Sequence, residues 1–325
     1  YVSGYIKNEK LRQVFSFHSL LIGGNPFQST NIYTLIHFLE KKWGVWYADG
    51  GTGSIISGLM KLFNELGGKT LLNTEVSEIL IDDSGSNRVS GVKLKDGSII
   101  KSDAVVCNAE LATAYKTLIP EKYRKKNTDK KIDSMKYSMS LFVIYFGTDR
   151  KYDNIPHHSI ILGDRYKELL DDIFNKYKLS DDFSLYLHRP TATDSTLAPP
   201  GCDAFYVLSP VPHLNSGTDW KKESKRYRDL IMSFLEKNYL PELSKHIVAE
   251  HYIDPVHFRD ELNSHLGSAF SVEPILTQSA YLRPHNKSED IEGLYFTGAG
   301  THPGAGLPGV VNSAKIVADL IGKQS

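Results

Sequence analysis

Apolar residues recur with helical spacing in several parts of the chain. Apolar side chains at positions 32, 35, 36 and 39 follow the i, i+3, i+4, i+7 pattern and predict a helix over residues 29–43. A glycine-rich turn at 49–53 leads into a second predicted helix over 54–66, which two glycines end. A long amphipathic helix is predicted over 221–239.

Short apolar runs between turn residues predict strands. Asp96-Gly97 separates two such runs and is a strong hairpin signal. The predicted strands cover residues 70–72, 76–81, 88–94, 98–101, 104–107, 140–146, 159–162, 184–188, 204–208 and 294–297. The longest unbroken apolar run has six residues, whereas a membrane-spanning helix needs about 20, so no segment is predicted to cross a bilayer.

Composition and charge narrow the class of protein. The 325 residues correspond to about two domains of ordinary size. Thirty-eight basic and 38 acidic side chains cancel, which argues against a nucleic-acid-binding protein. Two cysteines exclude a disulfide scaffold, and Cys107 is predicted to be a small buried apolar residue.

One segment departs from this even charge balance. Residues 121–131 hold six lysine or arginine residues and few apolar ones. A solvated surface loop is the first interpretation of this segment. A patch that binds anionic lipid head groups is the second.

The strongest candidate for chemistry is a glycine-rich loop near the end of the chain. It covers residues 298–309, contains five glycines, and lies between a predicted strand and an apolar helix predicted over 310–321. Such a loop lets the backbone approach a ligand closely, and the N–H groups at the helix start can donate to an anion or a carbonyl. A tight connector without a ligand is the alternative.

Residues 304–309 also match the G-x-G-x-x-G pattern, but the standard dinucleotide interpretation fails. That fingerprint follows a strand directly and requires an acidic residue about 20 positions later in a further strand. Here Gly304 comes eight positions after Phe296, with Pro303 between them, and no such acidic strand is predicted. The residues alone therefore indicate a glycine loop and helix that contact part of a cofactor.

The stretch 293–307, GLYFTGAGTHPGAGL, with Ser313 beyond it, resembles the C-terminal signature of bacterial-type phytoene desaturases, which are flavoproteins of carotenoid biosynthesis. The resemblance extends along the chain. It includes residues 11–13, 15–27 (FSFHSLLIGGNPF), 32–39, 43–46, 183–187, 193–195, 197–199, 210–214 and 267–279 (GSAFSVEPILTQS).

The resemblance implies an α/β flavoprotein fold of the amine-oxidase and glutathione-reductase type, in which an α+β substrate domain is inserted in a Rossmann-like FAD domain. Residues 50–110 and 288–325 would belong to the FAD domain, 111–287 to the substrate domain, and 1–49 to a substrate-side helical region. The N-terminal βαβ unit of that fold has no match in this sequence. We therefore expect the chain to correspond to the last two-thirds of a desaturase and not to bind FAD alone.

The resemblance also implies which residues lie around FAD. Val76 matches a position whose backbone meets adenine, and Ala299 stands where many related flavoenzymes have an acidic residue. The full set implied for the cofactor is Gly51, Thr52, Val76, Asn108, Gly298, Ala299, Gly300, Gly304, Gly306, Leu307, Pro308, Gly309 and Val310.

The implied reaction is FAD-dependent desaturation of phytoene toward lycopene, with a hydride passing to flavin N5. His302 is a candidate proton acceptor, and the alternative is that it shapes the loop. An apolar, aromatic tunnel suits a polyene, and the candidates for its lining are Phe15, Phe17, Phe27, Phe270 and Tyr281. Ordinary core packing is the alternative for each of them. The histidines lack metal-ligand spacing along the sequence, so no metal is predicted.

Partners follow from the implied substrate. At about 0.8 kcal/mol per buried CH₂ group, a long hydrocarbon costs tens of kcal/mol to carry through water, so we expect a cytoplasmic protein bound peripherally to membrane lipids. A quinone or another acceptor would take the electrons. A carotenoid isomerase, a desaturase of a later carotenoid and a non-catalytic fragment are the alternative functions.

Overall fold

The computed structural model describes residues 1–82 and 85–323. Residues 83–84 of the predicted segment 50–110 and residues 324–325 of the predicted segment 288–325 therefore lie outside the described residues. The helices are α1 (Glu9–Val14), α2 (Leu35–Trp43), α3 (Thr52–Glu65), α4 (Leu111–Thr113), α5 (Asp129–Ser134), α6 (Tyr166–Phe174), α7 (Trp220–Asn238), α8 (Leu243–His246), α9 (Pro255–Asp260) and α10 (Leu307–Gly322). The strands are β1 (Val76–Ile81), β2 (Val89–Leu94), β3 (Ile99–Lys101), β4 (Val105–Cys107), β5 (Ser140–Thr148), β6 (His158–Ile161), β7 (Leu185–His188), β8 (Asp203–Val211), β9 (Ile247–Ile253) and β10 (Leu294–Phe296).

Most of the predicted elements are confirmed, including the hairpin of β2 and β3 across Asp96-Gly97. The strand predicted at 70–72 is wrong. Leu71 and Leu72 are 61% and 79% exposed, and Asn73 has a φ of 53°, so the chain turns here instead of pairing. Strand β9 was not predicted. It is an edge strand that pairs with β5, and its five central side chains are all exposed, so no buried and exposed alternation marks it.

The backbone divides into two compact units. The first unit contains Tyr1–Leu39, Leu71–Met139 and Arg259–Ser325, and the second contains Glu40–Thr70 and Ser140–Phe258. These boundaries differ from the predicted ones because long-range pairing joins segments that the sequence separates. The N–H of Ser138 donates to Ser271 at 2.9 Å, and Tyr137 forms a β-bridge with Val272. The functional assignment of segments to FAD and substrate domains stays a prediction.

The first unit contains two small sheets and its own apolar core. β1, β2 and β3 form an antiparallel sheet, and β10 pairs with β4 in parallel register, with Phe296 opposite Cys107. The core joins these strands to the chain around α4 and α5. Its buried members are Ile79, Val89, Cys107, Leu111, Ala112, Ala114, Tyr115, Ile119, Ile132, Tyr137, Val272, Ile291, Leu294 and Phe296. The prediction that Cys107 is a buried apolar residue is confirmed, and burial raises the pKa of its thiol.

The second unit is built on a five-stranded antiparallel sheet with the order β6-β7-β8-β5-β9. Successive residues of β8 alternate strictly between buried and half-buried, as expected for a sheet with one core face. On the core face, Phe142 and Phe205 pack in one cluster with Tyr227 and Leu235 of α7. The opposite face carries tyrosine and histidine side chains, so the two faces of this sheet differ chemically.

The basic segment 121–131 is more ordered than a solvated loop. The side chain of Asp290 accepts hydrogen bonds from the successive backbone N–H groups of Lys125, Lys126 and Asn127 at 3.0, 2.7 and 3.0 Å. Arg124 is buried and donates to Asp129 at 2.7 Å. Contrary to the surface-loop prediction, its guanidinium is therefore not a surface charge. The lysine side chains of the segment are exposed, in agreement with the surface prediction.

No helix within the described parts of the chain is both long and apolar enough to cross a membrane.

Replacement of Asp290 by alanine is predicted to lower the free energy of unfolding by about 2 kcal/mol, because three backbone donors and the Asn127 amide lose their acceptor. Urea unfolding of the purified chain measures the change. The exposed Asp164 provides a matched control, Asp164→Ala, with an expected change below about 0.5 kcal/mol. Equal effects of the two substitutions would show that Asp290 does not organise the segment.

Candidate functional site

The glycine-rich loop runs from the end of β10 to the start of α10 in the first unit. The side chain of Asn108, which follows β4, donates to the carbonyl of Thr297 at 3.2 Å and so joins the ends of the two parallel strands. The Ser313 hydroxyl of α10 accepts from the N–H of Gly298 at 2.9 Å. Both hydrogen bonds thus hold the start of the loop, where it leaves β10.

The glycines of this loop are required for two different physical reasons. A Cβ at Gly309 would lie 2.5 Å from the carbonyl oxygen of Gly304, and one at Gly300 would lie 2.8 Å from side-chain atoms of Leu111 and Ser271. These two positions are therefore glycine because of internal packing. Gly306, the residue before α10, has a φ of 93°, a left-handed conformation that favours glycine.

The start of α10 is open to a ligand. No side chain caps this end, and Pro308 has no N–H, so the first-turn N–H groups of Leu307 and Gly309 have no helical acceptor. Leu307 is 54% exposed. The helix has 16 residues, and its dipole favours an anion or a carbonyl oxygen at this end.

The inner side of the loop is held by Arg283, which the sequence analysis did not identify. This residue is only 2% exposed and donates to four backbone carbonyls, those of Thr301, Gln278, Val272 and Ala299, at 3.2, 3.1, 3.2 and 2.5 Å. Burial lowers the pKa of the guanidinium to about 10, so it remains charged at neutral pH. Nothing in the sequence pattern distinguishes it from a surface arginine.

A second buried side chain completes this support. The Asn286 amide is 5% exposed and donates to the carbonyls of Phe296 and His302 at 3.2 and 2.9 Å. The loop therefore satisfies its inward-facing carbonyls internally. Its remaining backbone groups at the helix start are available to a bound group.

His302 is held as part of this loop. Its Nδ1–H donates to the carbonyl of Ala280 at 3.1 Å, and its backbone N–H donates to Pro284 at 3.0 Å. The first bond fixes the neutral ring in the tautomer with a lone pair on Nε2. The geometry supports the loop-shaping interpretation, and a role as proton acceptor stays a prediction.

The other cofactor candidates are distributed over both units. Val76 begins β1 in the first unit, whereas Gly51 and Thr52 lie at the start of α3 in the second unit. The loop candidates Gly298, Ala299, Gly300, Gly304, Gly306, Leu307, Pro308, Gly309 and Val310 all lie together between β10 and the first turn of α10. The structure thus gathers the loop set and Asn108 in one place.

The five aromatic candidates for a substrate tunnel all lie in the first unit, and none of them is fully buried. Phe15 and Phe27 are 43% and 49% exposed, and Phe270 is half-buried with its Cβ against Gly23. Tyr281 is 81% exposed and lines a cleft of about 510 Å³ together with charged residues such as Lys287. Their role in substrate binding stays a prediction.

Glu273 is a buried acid that the sequence analysis also missed. It is 3% exposed, its Oε1 has no hydrogen-bond partner among the described residues, and the N–H of Asn25 donates to the carboxylate. Burial raises the pKa of this carboxyl to about 7, although Lys136 and the Asn25 N–H oppose the shift. It lies within the segment 267–279 on which the family resemblance partly rests.

The comparisons with known proteins identify relatives and fold neighbours. The family model described as flavin containing amine oxidoreductase matches residues 1–322. The chain is 52% identical over 98% of its length to a lycopene-forming phytoene desaturase of Pseudescherichia vulneris and 49% identical over 98% to one of Pantoea ananas. It covers 65% of each of these two relatives, so it spans slightly less than two-thirds of their length.

A solved structure supports the predicted fold. An oxidoreductase from Methanosarcina mazei superposes with a TM-score of 0.69 at 17% identity, over 98% of this chain and 66% of that one. At this level of identity the likeness concerns the fold alone. Together with the family match it confirms the prediction of an α/β flavoprotein fold of the amine-oxidase type.

The substitution Arg283→Met is predicted to lower the free energy of unfolding by at least about 2 kcal/mol, because four buried carbonyls lose their donor. Arg88→Met, which removes an exposed pair with Glu292, is the control and should cost less than about 1 kcal/mol. Hydrogen exchange at residues 298–301 should accelerate only in the Arg283 variant. Unchanged exchange there would contradict the assigned role of Arg283.

The substitution Glu273→Gln is predicted to change the pH dependence of stability. The folded-state pKa of about 7 lies above the usual 4.5, so the folded chain binds more protons than the unfolded chain between these values. Wild-type stability therefore falls as pH rises through this window, and the loss persists above it.

The glutamine variant should lack this loss and be more stable than the wild type at pH 8, by on the order of 3 kcal/mol, but not at pH 4. Urea unfolding at pH 4, 6 and 8 tests the difference. Glu121→Gln, at an exposed position, is the control. A difference between Glu273→Gln and wild type that does not vary with pH would refute the prediction.

Proposed function

The chain belongs to the family of flavin-containing amine oxidoreductases, and from this premise we propose that the protein is an FAD-dependent desaturase that converts phytoene toward lycopene. The observation that carries the proposal is the identity it shares with the two lycopene-forming phytoene desaturases. The glycine loop and the uncapped start of α10 support it, because they suit a flavin that needs backbone donors.

The residues of the loop fit the cofactor by their chemistry. The N–H groups of Leu307 and Gly309 would donate to a carbonyl or phosphate oxygen of FAD, and the absence of a side chain at Gly306 keeps that approach free. Arg283 and Asn286 hold the opposite side of the loop through its carbonyls. Val76, Asn108, Gly51 and Thr52 stay candidates for the remaining contacts.

When bound, FAD supplies the acceptor for the hydride that leaves one substrate carbon, while a proton leaves the adjacent carbon. The protein's share of this reaction is to position the saturated carbon pair and to exclude water. We propose that His302 contributes by holding the loop, since its Nδ1–H is engaged with Ala280. If His302 instead acted as the proton acceptor, Nε2 would be the atom that takes the proton.

Phytoene has no polar group for the protein to bind, so recognition must come from apolar contact. Phe15, Phe17, Phe27, Phe270 and Tyr281 are our candidates for that contact. Because the substrate is confined to lipid, we propose peripheral attachment to a membrane, with lipids and a quinone or other electron acceptor as partners.

The test is expression of the complete coding sequence in cells that accumulate phytoene and contain no other desaturase. We predict that pigments with more conjugated double bonds, ending in lycopene, appear on chromatography, and that the purified protein shows flavin absorbance. Gly309→Ala should reduce the pigment yield and the flavin absorbance by at least about tenfold, because the Cβ of the alanine would strike the carbonyl oxygen of Gly304. Gly322→Ala, at an open position of the same helix, should change neither.

The outcomes separate the alternative functions. New geometric isomers without added double bonds would indicate a carotenoid isomerase, and activity only on oxygenated carotenoids would indicate a later desaturase. Flavin binding with unchanged phytoene would refute phytoene as the substrate. Absence of flavin from the purified protein would refute FAD as the cofactor. Flavin absorbance of the purified 325-residue chain tests our expectation that it does not bind FAD alone.

A further inference from the structure

Three histidines meet at one edge region of the five-stranded sheet in the second unit. His158 opens β6 and pairs in register with His188, the last residue of β7, while His157 directly precedes β6. Each offers one ring nitrogen, and these three atoms lie within 4.8 Å of one another. The sequence spacing gave no sign of this group, because strand pairing brings together residues about thirty positions apart.

Two of the rings are already oriented by neighbouring hydroxyl groups. The Nδ1 atom of His157 lies 2.5 Å from the Oγ1 of Thr193, and the Nδ1 atom of His158 lies 2.6 Å from the hydroxyl of Tyr186. When Nδ1 carries the proton in such a bond, the lone pair lies on Nε2. Metal-binding histidines show the same arrangement, with one nitrogen held by an outer partner and the other on the metal.

The third ring, that of His188, lies beside the other two and is poorly satisfied. The Nε2 of His188 lies 2.8 Å from the Nε2 of His157, so a single proton must lie between these two nitrogens. Imidazole nitrogens are the commonest metal ligands in proteins. His188 is 9% exposed, and its Nδ1 is buried without a hydrogen-bond partner among the described residues. The arrangement therefore leaves a buried polar atom that no neighbour explains.

We propose that His157, His158 and His188 bind one divalent transition-metal ion of the Zn²⁺ class through three imidazole nitrogens. Imidazole ligands favour Zn²⁺, Co²⁺, Ni²⁺ and Cu²⁺ over Ca²⁺ or Mg²⁺. A tetrahedral ion with bonds of about 2.0 Å separates its ligand nitrogens by about 3.3 Å, so the Nε2 atoms of His157 and His188 must move apart by about 0.5 Å. The stacked rings of His157 and His158 must also turn toward the common ion. His158 is exposed, which gives an ion access and leaves a fourth position for water.

A buried ion pair keeps the two ring-bearing segments in place. Arg189, next to His188, donates to Asp203 at 2.9 Å and to the carbonyl of Ile155, two residues before His157, also at 2.9 Å. Both charged side chains are at least nine-tenths buried. The backbone around the three histidines is thus fixed before any ion binds, and only the ring positions need to adjust.

The experiment uses the 325-residue chain, prepared without a polyhistidine tag and stripped with EDTA. We expect titration with Co²⁺ to give visible bands of a tetrahedral site that saturate at one equivalent, and Zn²⁺ to displace them. Zn²⁺ should also raise the melting temperature, because the ion links β6 to β7. His188→Ala should abolish the bands, and His158→Gln should weaken Zn²⁺ binding by at least about tenfold.

Two further variants make the result decisive. His246→Gln removes a histidine of the same unit that pairs with Asp149, and it should leave the Co²⁺ bands unchanged. Tyr186→Phe removes the outer partner of His158 and should weaken binding several-fold while the circular dichroism spectrum is retained. Wild-type binding no different from that of His158→Gln, or bands lost equally in His246→Gln, would overturn the proposal.

Discussion

The first unit depends on a buried positive charge that has no carboxylate partner among the residues that the structure describes. Arg283 lies inside the protein with its guanidinium bonded to backbone carbonyls alone. A buried cation is costly unless hydrogen bonds replace its hydration, so the carbonyls around it must stay in place for the unit to be stable. Two of them, Val272 and Gln278, come from the segment before Arg283, and two come from the glycine loop. The charge therefore fixes the loop conformation.

This arrangement explains how a loop rich in glycine remains ordered. Glycine loses more backbone freedom on folding than other residues, so a loop with many glycines needs strong local contacts. Arg283 and Asn286 supply these contacts from the inner side, and Asn108 and Ser313 hold the start of the loop next to β10. The N–H groups at the start of α10 are left for a ligand, which is the property that a flavin site requires.

The sequence predicted the local elements and the glycine loop because both have short-range signals. Helical and alternating spacing mark α7 and β8, and the position of the loop between strand and helix is visible directly. Arg283 and Glu273 escaped prediction because burial of a charged residue depends on neighbours distant in the sequence. The same reason applies to the unit boundaries, which depend on pairing between 137–139 and 269–272, and to the histidines, which only strand register brings together.

The contact between Asp290 and the basic segment affects how the lysines would meet a charged surface. Since three consecutive N–H groups point inward to one carboxylate, the backbone beneath Lys125 and Lys126 is fixed, and both ammonium groups extend outward. A rigid frame loses little conformational entropy on contact with an anionic surface, unlike a flexible basic tail. Attraction between these lysines and an anionic surface would fall off over a Debye length, about 8 Å at physiological ionic strength, so such a contact would form only at short range and in one orientation.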